Sequence, residues 1–129
     1  MISFFVPGDP VPHQVVTFRG KFLSARGKRL KVYKEAVRAF AWLAARETGV
    51  TIPVPTATNH VYIETIAFFR NQRHADPESI HKVIKDALWP HGGDAGNDKW
   101  VGGRYVSPRY ASKTQEPGVH VTIGSYQND

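Results

Sequence analysis

The sequence predicts a single α/β domain over residues 1–129, in which a small mixed β-sheet of about four strands is packed with two main helices. Stretches of alternating apolar and polar residues, typical of strands, are interspersed with two stretches of helical spacing. The length of 129 residues suits one domain with its own core. With 41% hydrophobic and 22% charged residues, the composition is that of an ordinary soluble globular fold.

The first third of the chain predicts a strand, a basic loop and a helix. Residues 2–6 form an apolar run that ends in a turn rich in proline and glycine, so they predict a buried strand. Residues 11–29 have no clean period and predict an exposed hairpin or a flexible basic loop. Helical spacing starts near Leu30 and stops at Gly49. The apolar side of this helix comprises Tyr33, Val37, Phe40, Ala41 and Ala44.

The remainder predicts a strand, a second helix and two further strands. Residues 61–69 alternate and carry apolar residues on both faces toward their end, so they predict a central strand covered on two sides. Asp76 is the expected N-cap and Pro77 the first residue of a helix that ends near Leu88 or Trp89. The last two predicted strands are residues 100–106 and 119–123.

The charge of the chain favours a polyanionic partner. The formal net charge is +6, and eight of the seventeen Lys and Arg residues lie between Arg19 and Arg38. Such a segment gains free energy from nucleic acid by releasing counterions from phosphates. A solvated surface that keeps the protein soluble is the alternative, and the charge alone leaves both open.

The sequence also predicts a compartment. The chain has no cysteine, which excludes a disulfide framework and a thiolate metal site. Its N-terminus lacks the features of a signal peptide, and no apolar run approaches the roughly 20 residues of a membrane helix. We therefore expect a soluble cytoplasmic protein that does not associate with a membrane.

An acidic cluster interrupts this basic chain. Five of the eleven acidic residues lie between Asp76 and Asp98. On a helical wheel Glu78, Lys82 and Asp86 lie opposite the apolar side of the second helix. That apolar side comprises Ile80, Val83, Ile84, Ala87 and Leu88.

Two interpretations of the cluster remain open. The carboxylates of Asp76, Glu78 and Asp98 are hard ligands suited to Mg²⁺ or Mn²⁺, which activates water for attack on a phosphodiester. Lys82 would neutralise charge on the attacked phosphate. Alternatively, Asp76 only caps the helix and Glu78, Lys82 and Asp86 form an ordinary ladder of ion pairs. Asp98 has no capping role, which favours the metal site.

Residues around the cluster complete the candidate site. Arg70 and Arg73 end the predicted strand beside it and are candidates for phosphate binding, with simple charge balance as the alternative. His74 and His81 are expected to be exposed beside the polar face, with a DNA contact or a general base as the alternative role. Tryptophan side chains are expected to pack, Trp42 on the first helix and the other two in the core.

The motif Asp76-Pro77-Glu78-Ser79-Ile80-His81-Lys82, followed by Asp86-Ala87-Leu88 and by Asn97-Asp98 ahead of Val101, resembles the core of the RusA family of Holliday junction resolvases. The family pattern is roughly D-x-D-N-[IL]-x-K, then D-A-L, then a late D before a strand. The opening segment from Val6 to Pro12 also resembles phage-type members. Glu78 and Ser79 depart from the family, which usually has Asp and Asn at these positions.

The resemblance implies a RusA-like fold and a homodimeric, Mg²⁺-dependent endodeoxyribonuclease, with Mn²⁺ as an alternative metal. Such an enzyme resolves four-way junction DNA by paired symmetric nicks in recombination and repair, in the cytoplasm of a bacterium or of a phage's host. By the same resemblance Asp76, Glu78 and Asp98 are the metal carboxylates and Lys82 is the essential lysine. Asp86 is a secondary candidate.

The residues implied in DNA binding are Arg19, Lys21, Arg26, Lys28 and Arg29, together with Arg70 and Arg73. A homodimer fits paired nicks, because two symmetric cuts need two sites related by a two-fold axis. The alternatives are a nucleic-acid-binding module without catalysis and a nuclease that acts on other branched DNA or on RNA.

Overall fold

A computed structural model describes residues 1–13, 18–19, 22–23, 25–90 and 97–125, with the side chains of 18–19, 22–23 and 97–98 left out. The described residues form a small mixed α/β domain with two helices and a five-stranded mixed sheet, which confirms the predicted fold class. Its elements are β1 (Ile2–Pro7), β2 (Phe18–Arg19), β3 (Phe22–Leu23), α1 (Ala25–Thr48), β4 (Val61–Phe69), α2 (Pro77–Leu88), a 3₁₀-helix (Asn97–Trp100), β5 (Val101–Tyr105), β6 (Arg109–Tyr110) and β7 (Gly118–Ser125).

Strand β4 is the centre of the main sheet, whose order is β1-β7-β4-β5. β7 runs antiparallel to both β1 and β4, whereas β5 runs parallel to β4. The short β6 continues the β5 edge and pairs in parallel with the last two residues of β4. Because β4 and β5 are parallel, the chain must cross back between them, and α2 makes most of that crossing.

Both helices lie on one face of the sheet. The residues of β4 alternate strictly between buried and half-buried, with Val61, Ile63 and Thr65 on the buried side. The His81 side chain of α2 bonds to Thr65, and α1 contacts both α2 and β1. The prediction of a strand covered on two sides is therefore wrong, since no described helix covers the face that carries Ile66 and Phe68. Ile66 and Phe68 themselves are half-buried.

The core forms where the apolar sides of α1 and α2 meet the sheet. In α2 the predicted apolar residues Ile80, Val83, Ile84 and Ala87 are all fully buried. Each such Ile or Val is worth roughly 1.5–3 kcal/mol relative to an exposed side chain. Arg38 of α1 donates to the carbonyl oxygen of Ala87 at 3.3 Å, so a cation also stabilises the C-terminal end of α2.

Strand β5 can approach β4 only because of a glycine. Gly103 has φ +152°, and a Cβ atom on it would lie 1.8 Å from the carbonyl oxygen of Ile63, its partner in β4. Any side chain at this position would therefore separate the two strands.

Helix α1 begins at Ala25, five residues before the predicted start at Leu30. Gly27 weakens the helical pattern by about 1 kcal/mol relative to alanine, which is why the sequence indicated a loop. Burial of Leu30, which is 2% exposed, offsets that cost by anchoring the first turns on the core. Arg26, Lys28 and Arg29 are thus on a helix and not on the predicted loop.

Two of the aromatic predictions differ in outcome. Trp42 is 57% exposed and does not pack in the core, so that prediction is wrong; the guanidinium of Arg46 lies 5.3 Å from its ring centroid. Trp89 is buried as predicted, and its indole N–H donates to the carbonyl oxygen of Pro53. Trp100 is half-buried and stacks on His60.

No described helix is both long enough and apolar enough to span a membrane.

His81 is buried, which contradicts the predicted exposure. It precedes Ile84 by three residues, so it lies on the apolar side of α2, and it is 8% exposed. Its Nδ1 is 2.7 Å from the Thr65 hydroxyl, and the Tyr105 ring lies nearby. Burial, and then the charge of Lys85, lower the pKa of His81 from 6.5 to about 4.

This burial predicts a pH-dependent stability. The unfolded chain binds a proton at His81 below about pH 6.5 and the folded protein only below about pH 4, so the free energy of unfolding should fall as the pH drops between these values. We expect a loss on the order of 2 kcal/mol, because some solvent access reduces the full effect. Urea unfolding at pH 7, 5.5 and 4 measures it.

The matched variant is His81→Asn, which keeps a polar group for Thr65 but cannot titrate. Its stability should change less with pH than that of the wild type over the same range. Equal slopes for the two proteins would show that His81 is not the group responsible.

Candidate nucleic-acid interface

The start of α2 is built as the sequence predicts. Asp76 is the N-cap in extended conformation, and its Oδ1 accepts from the backbone N–H of Glu78 at 2.9 Å. Pro77 occupies the first turn, where a missing N–H costs nothing. Asp76, Glu78 and Lys82 are all exposed, with Lys82 one turn beyond Glu78 on the same side.

Asp98 is held at a different place in the fold. It lies in the 3₁₀-helix just before β5, and the first residue of β5, Val101, pairs with Val61, the first residue of β4. Asp76 instead comes seven residues after Phe69, the last residue of β4, and a nine-residue strand spans about 26 Å. The backbones of Asp98 and Asp76 are thus attached to opposite ends of β4.

The proposed metal site is complete only if Asp98 contributes. Among the side chains that the structure describes, no three His, Asp or Glu residues are grouped so that they could hold a metal ion. The Asp98 side chain lies outside that set, so the site of three carboxylates stays a prediction. Asp76 and Glu78 alone offer two exposed carboxylates, which fits the few protein ligands that Mg²⁺ normally takes.

An arginine-lined cleft of about 280 Å³ lies directly before the acidic helix start. Arg29 reaches it from α1, and Arg70 and Arg73 come from the segment that leaves β4. The structure thus brings together three of the basic residues that the sequence singled out. The other lining residues are Asp9, Pro10, Pro12, Phe69, Asn71, His74 and Ala75.

Asp9 positions one of these arginines. The Nε of Arg70 donates to Oδ1 of Asp9 at 3.1 Å, and both side chains are largely exposed. An exposed ion pair contributes only about 0–1 kcal/mol to stability. Its effect is therefore on the direction of the Arg70 side chain, which is held along the wall of the cleft.

His74 and Phe69 line one side of the cleft, and Tyr110 lies next to His74. The ring of His74 stacks on Phe69 with centroids 3.9 Å apart and planes 11° apart. His74 Nδ1 is 2.7 Å from the carbonyl oxygen of Ala75, which can only accept, so the proton is on Nδ1. In the neutral ring Nε2 then accepts from the Tyr110 hydroxyl at 3.0 Å. His74 is half-buried, which corrects its predicted exposure.

The segment with Pro10 and Pro12, which lines the other side of the cleft, is attached to α2 through His13. The backbone N–H of His13 donates to Ser79 Oγ at 2.9 Å, and its Nδ1 lies 3.9 Å from Oδ2 of Asp86. Asp86 is only 7% exposed, so it is not part of the exposed ion-pair ladder that the sequence predicted. The reason is its position three residues after Val83, on the margin of the apolar side. Asp86 thus helps to fix the segment that lines the cleft.

The other basic candidates are not among the described residues that line the cleft. Arg26 and Lys28 are exposed on the first turns of α1. For Arg19 only the backbone, in β2, is described, and Lys21 lies outside the described residues.

Sequence reasoning missed Asp9, His13 and Tyr110 as parts of the site. Tyr110 pairs with Phe69 through a two-residue strand, which is too short to show a period. Asp9 was visible only as a turn residue after β1. Comparison with models of protein families and with curated proteins finds no match for the chain.

The role of Asp76 as a helix cap predicts how two of its variants differ in stability. Asp76→Ala removes the cap and should cost about 1 kcal/mol of unfolding free energy, whereas Asp76→Asn keeps an acceptor for the Glu78 N–H and should cost little. Thermal or urea unfolding of the two variants measures the difference. Equal losses for Asn and Ala would show that the hydrogen bond is not what stabilises the helix start.

Proposed function

We propose that the protein is a divalent-metal-dependent DNA endonuclease that nicks four-way junctions in pairs as a homodimer, in DNA recombination and repair. The motif resemblance gives the reaction class. The observation that carries the proposal is the adjacency of the arginine cleft to Asp76 and Glu78, since Ala75 of the cleft directly precedes Asp76. The compartment that we propose is the cytoplasm of a bacterium or of a phage's host, where such DNA is found.

The cleft would hold the phosphate. Guanidinium groups bind phosphate oxygens through paired hydrogen bonds, and Arg29, Arg70 and Arg73 converge from two separate elements. These contacts read no base sequence, which suits recognition of a branched shape. They would place a phosphodiester next to the start of α2.

The acidic helix start would supply the chemistry. Asp76 and Glu78 would hold the metal ion, which activates water and offsets charge on the phosphate when it is bound. Lys82, exposed one turn further, would offset the negative charge that develops on the phosphate oxygens. Asp98 enters as third carboxylate on the motif alone, because its backbone is attached at the other end of β4.

A nucleic-acid-binding module without catalysis is the second candidate. It is favoured by the use of Asp76 as a helix cap and by the distant attachment of Asp98. On this alternative the cleft binds phosphates and the acidic residues only stabilise α2.

Cleavage assays separate the two candidates. We expect the wild type, with Mg²⁺ or Mn²⁺ titrated, to cut a four-way junction in preference to flaps, duplex and single-stranded DNA or RNA. Asp76→Asn and Asp98→Asn should abolish cutting while junction binding in EDTA is kept. Binding without cutting in both metals would overturn the nuclease. Preferential cutting of another branched substrate would replace the junction as the target. Sedimentation of the free protein tests the homodimer.

The cleft arginines should govern affinity for any DNA. Arg73→Gln or Arg29→Gln should weaken binding to all DNA shapes alike and lower the slope of log affinity against log salt by about 1 for each phosphate that the variant no longer binds. Titrations at several salt concentrations measure that slope. Arg46→Gln is the matched control, because Arg46 is exposed near the other end of α1 and loses the same charge. An equal effect of Arg46→Gln would mean that net charge, and not the cleft, binds the DNA.

A further inference from the structure

Tyr110 offers an aromatic ring that is both exposed and fixed. It is 43% exposed, yet its hydroxyl is bonded to His74, and His74 is stacked on Phe69, which is 3% exposed. The backbone on each side is held too, because β6 pairs with the end of β4. A ring held by such contacts loses less conformational freedom when it binds a ligand than a free one would.

The ring adjoins the arginines. His74 and Phe69 line the cleft, and the Tyr110 ring lies 5.5 Å from the ring of His74. A ligand that uses both parts needs an anionic group and a flat π-face close together. A free phosphate would leave Tyr110 unused, and an uncharged aromatic molecule would leave the arginines unused. A nucleotide has both groups.

Stacking on Tyr110 requires an unpaired nucleotide. The cleft of about 280 Å³ has room for one phosphate with its sugar. Within a duplex both faces of a base are covered by its neighbours, so a protein ring can stack only on a base that has left the helix. Bases at a DNA branch point are the ones that lose neighbours most readily.

We propose that Tyr110 and the arginine cleft together hold one unpaired nucleotide, with its phosphate among Arg29, Arg70 and Arg73 and its base stacked on Tyr110. This inference rests on the proposed function in that DNA is the ligand, but it requires neither a metal ion nor cleavage. It assigns Tyr110 the role of recognising the branch point, beside the arginines that bind any phosphate.

The test uses single-stranded pentanucleotides in EDTA, with 2-aminopurine at one position to report stacking through loss of fluorescence. Wild-type protein should quench the probe, and moving one abasic site along the pentanucleotide should weaken binding about tenfold or more at one position. If no abasic position weakens binding to the wild type, only phosphates are bound and the proposal is wrong.

Variants locate the stacking ring. Tyr110→Ala should lose the quenching and about tenfold or more in affinity, whereas Tyr110→Phe, which keeps the ring, should retain both. Tyr105→Ala is the matched control, because Tyr105 is 45% exposed in the neighbouring strand β5. Its ring adjoins that of His81, whereas the ring of Tyr110 adjoins that of His74, which lines the cleft. The assignment of Tyr110 would be overturned if Tyr110→Ala quenched the probe as strongly as the wild type does. It would also be overturned if Tyr105→Ala lost as much quenching and affinity as Tyr110→Ala.

The outcome is independent of the nuclease. A protein that quenches through Tyr110 and never cuts would uphold this inference and overturn the endonuclease. A protein that cuts junctions equally well with Tyr110→Ala, and binds abasic oligonucleotides unchanged, would do the reverse.

Discussion

The parallel pairing of β4 and β5 is the constraint on which the rest of the structure depends. It obliges the chain to return along the sheet, and α2 fills that return with its apolar side down on β4. As a result Arg70, Arg73, His74 and the start of α2 all follow the C-terminal end of β4, and Arg29 reaches the same cleft from α1. The opposite end carries the residues that lead into β5, Asp98 among them. The pairing of β4 therefore determines which candidate site residues can lie near one another.

Asp76 illustrates how stability and chemistry share a residue. One carboxylate oxygen satisfies a backbone N–H that every helix start leaves exposed. The electrostatics agree with this role, because a negative charge is favoured at the positive end of a helix dipole. A cation at the same place would meet an unfavourable dipole, so it would have to gain more from carboxylates and phosphate than the cap loses. The neighbouring phosphate-binding arginines would be a further cost for the cation until the phosphate itself is bound.

The sequence was sufficient to predict an element and its buried residues where the periodic pattern was long, as in the apolar side of α2 and the central strand β4. The sequence did not predict the burial of residues at the margin of the apolar side of α2. His81 is buried against Thr65 of β4, and Asp86 lies against His13 of the segment before β2. Non-local packing accounts for the other differences. Burial of Leu30 moves the start of α1 forward and brings Arg29 to the cleft. Tyr110 depends on a two-residue strand whose partner is about forty residues away, which local reasoning cannot detect.

Gly103 does not line the cleft, yet it determines how closely β5 can pair with β4. A methyl group there would collide with the backbone of Ile63 and push β5 outward. Tyr105 belongs to that strand, and the chain reaches β6 and Tyr110 only after passing through it. We therefore expect Gly103 to tolerate substitution poorly, although it has no side chain that could bind a ligand or take part in a reaction. Variation among distant versions of this chain would be freer at the rim of the cleft than at this close approach of two strands.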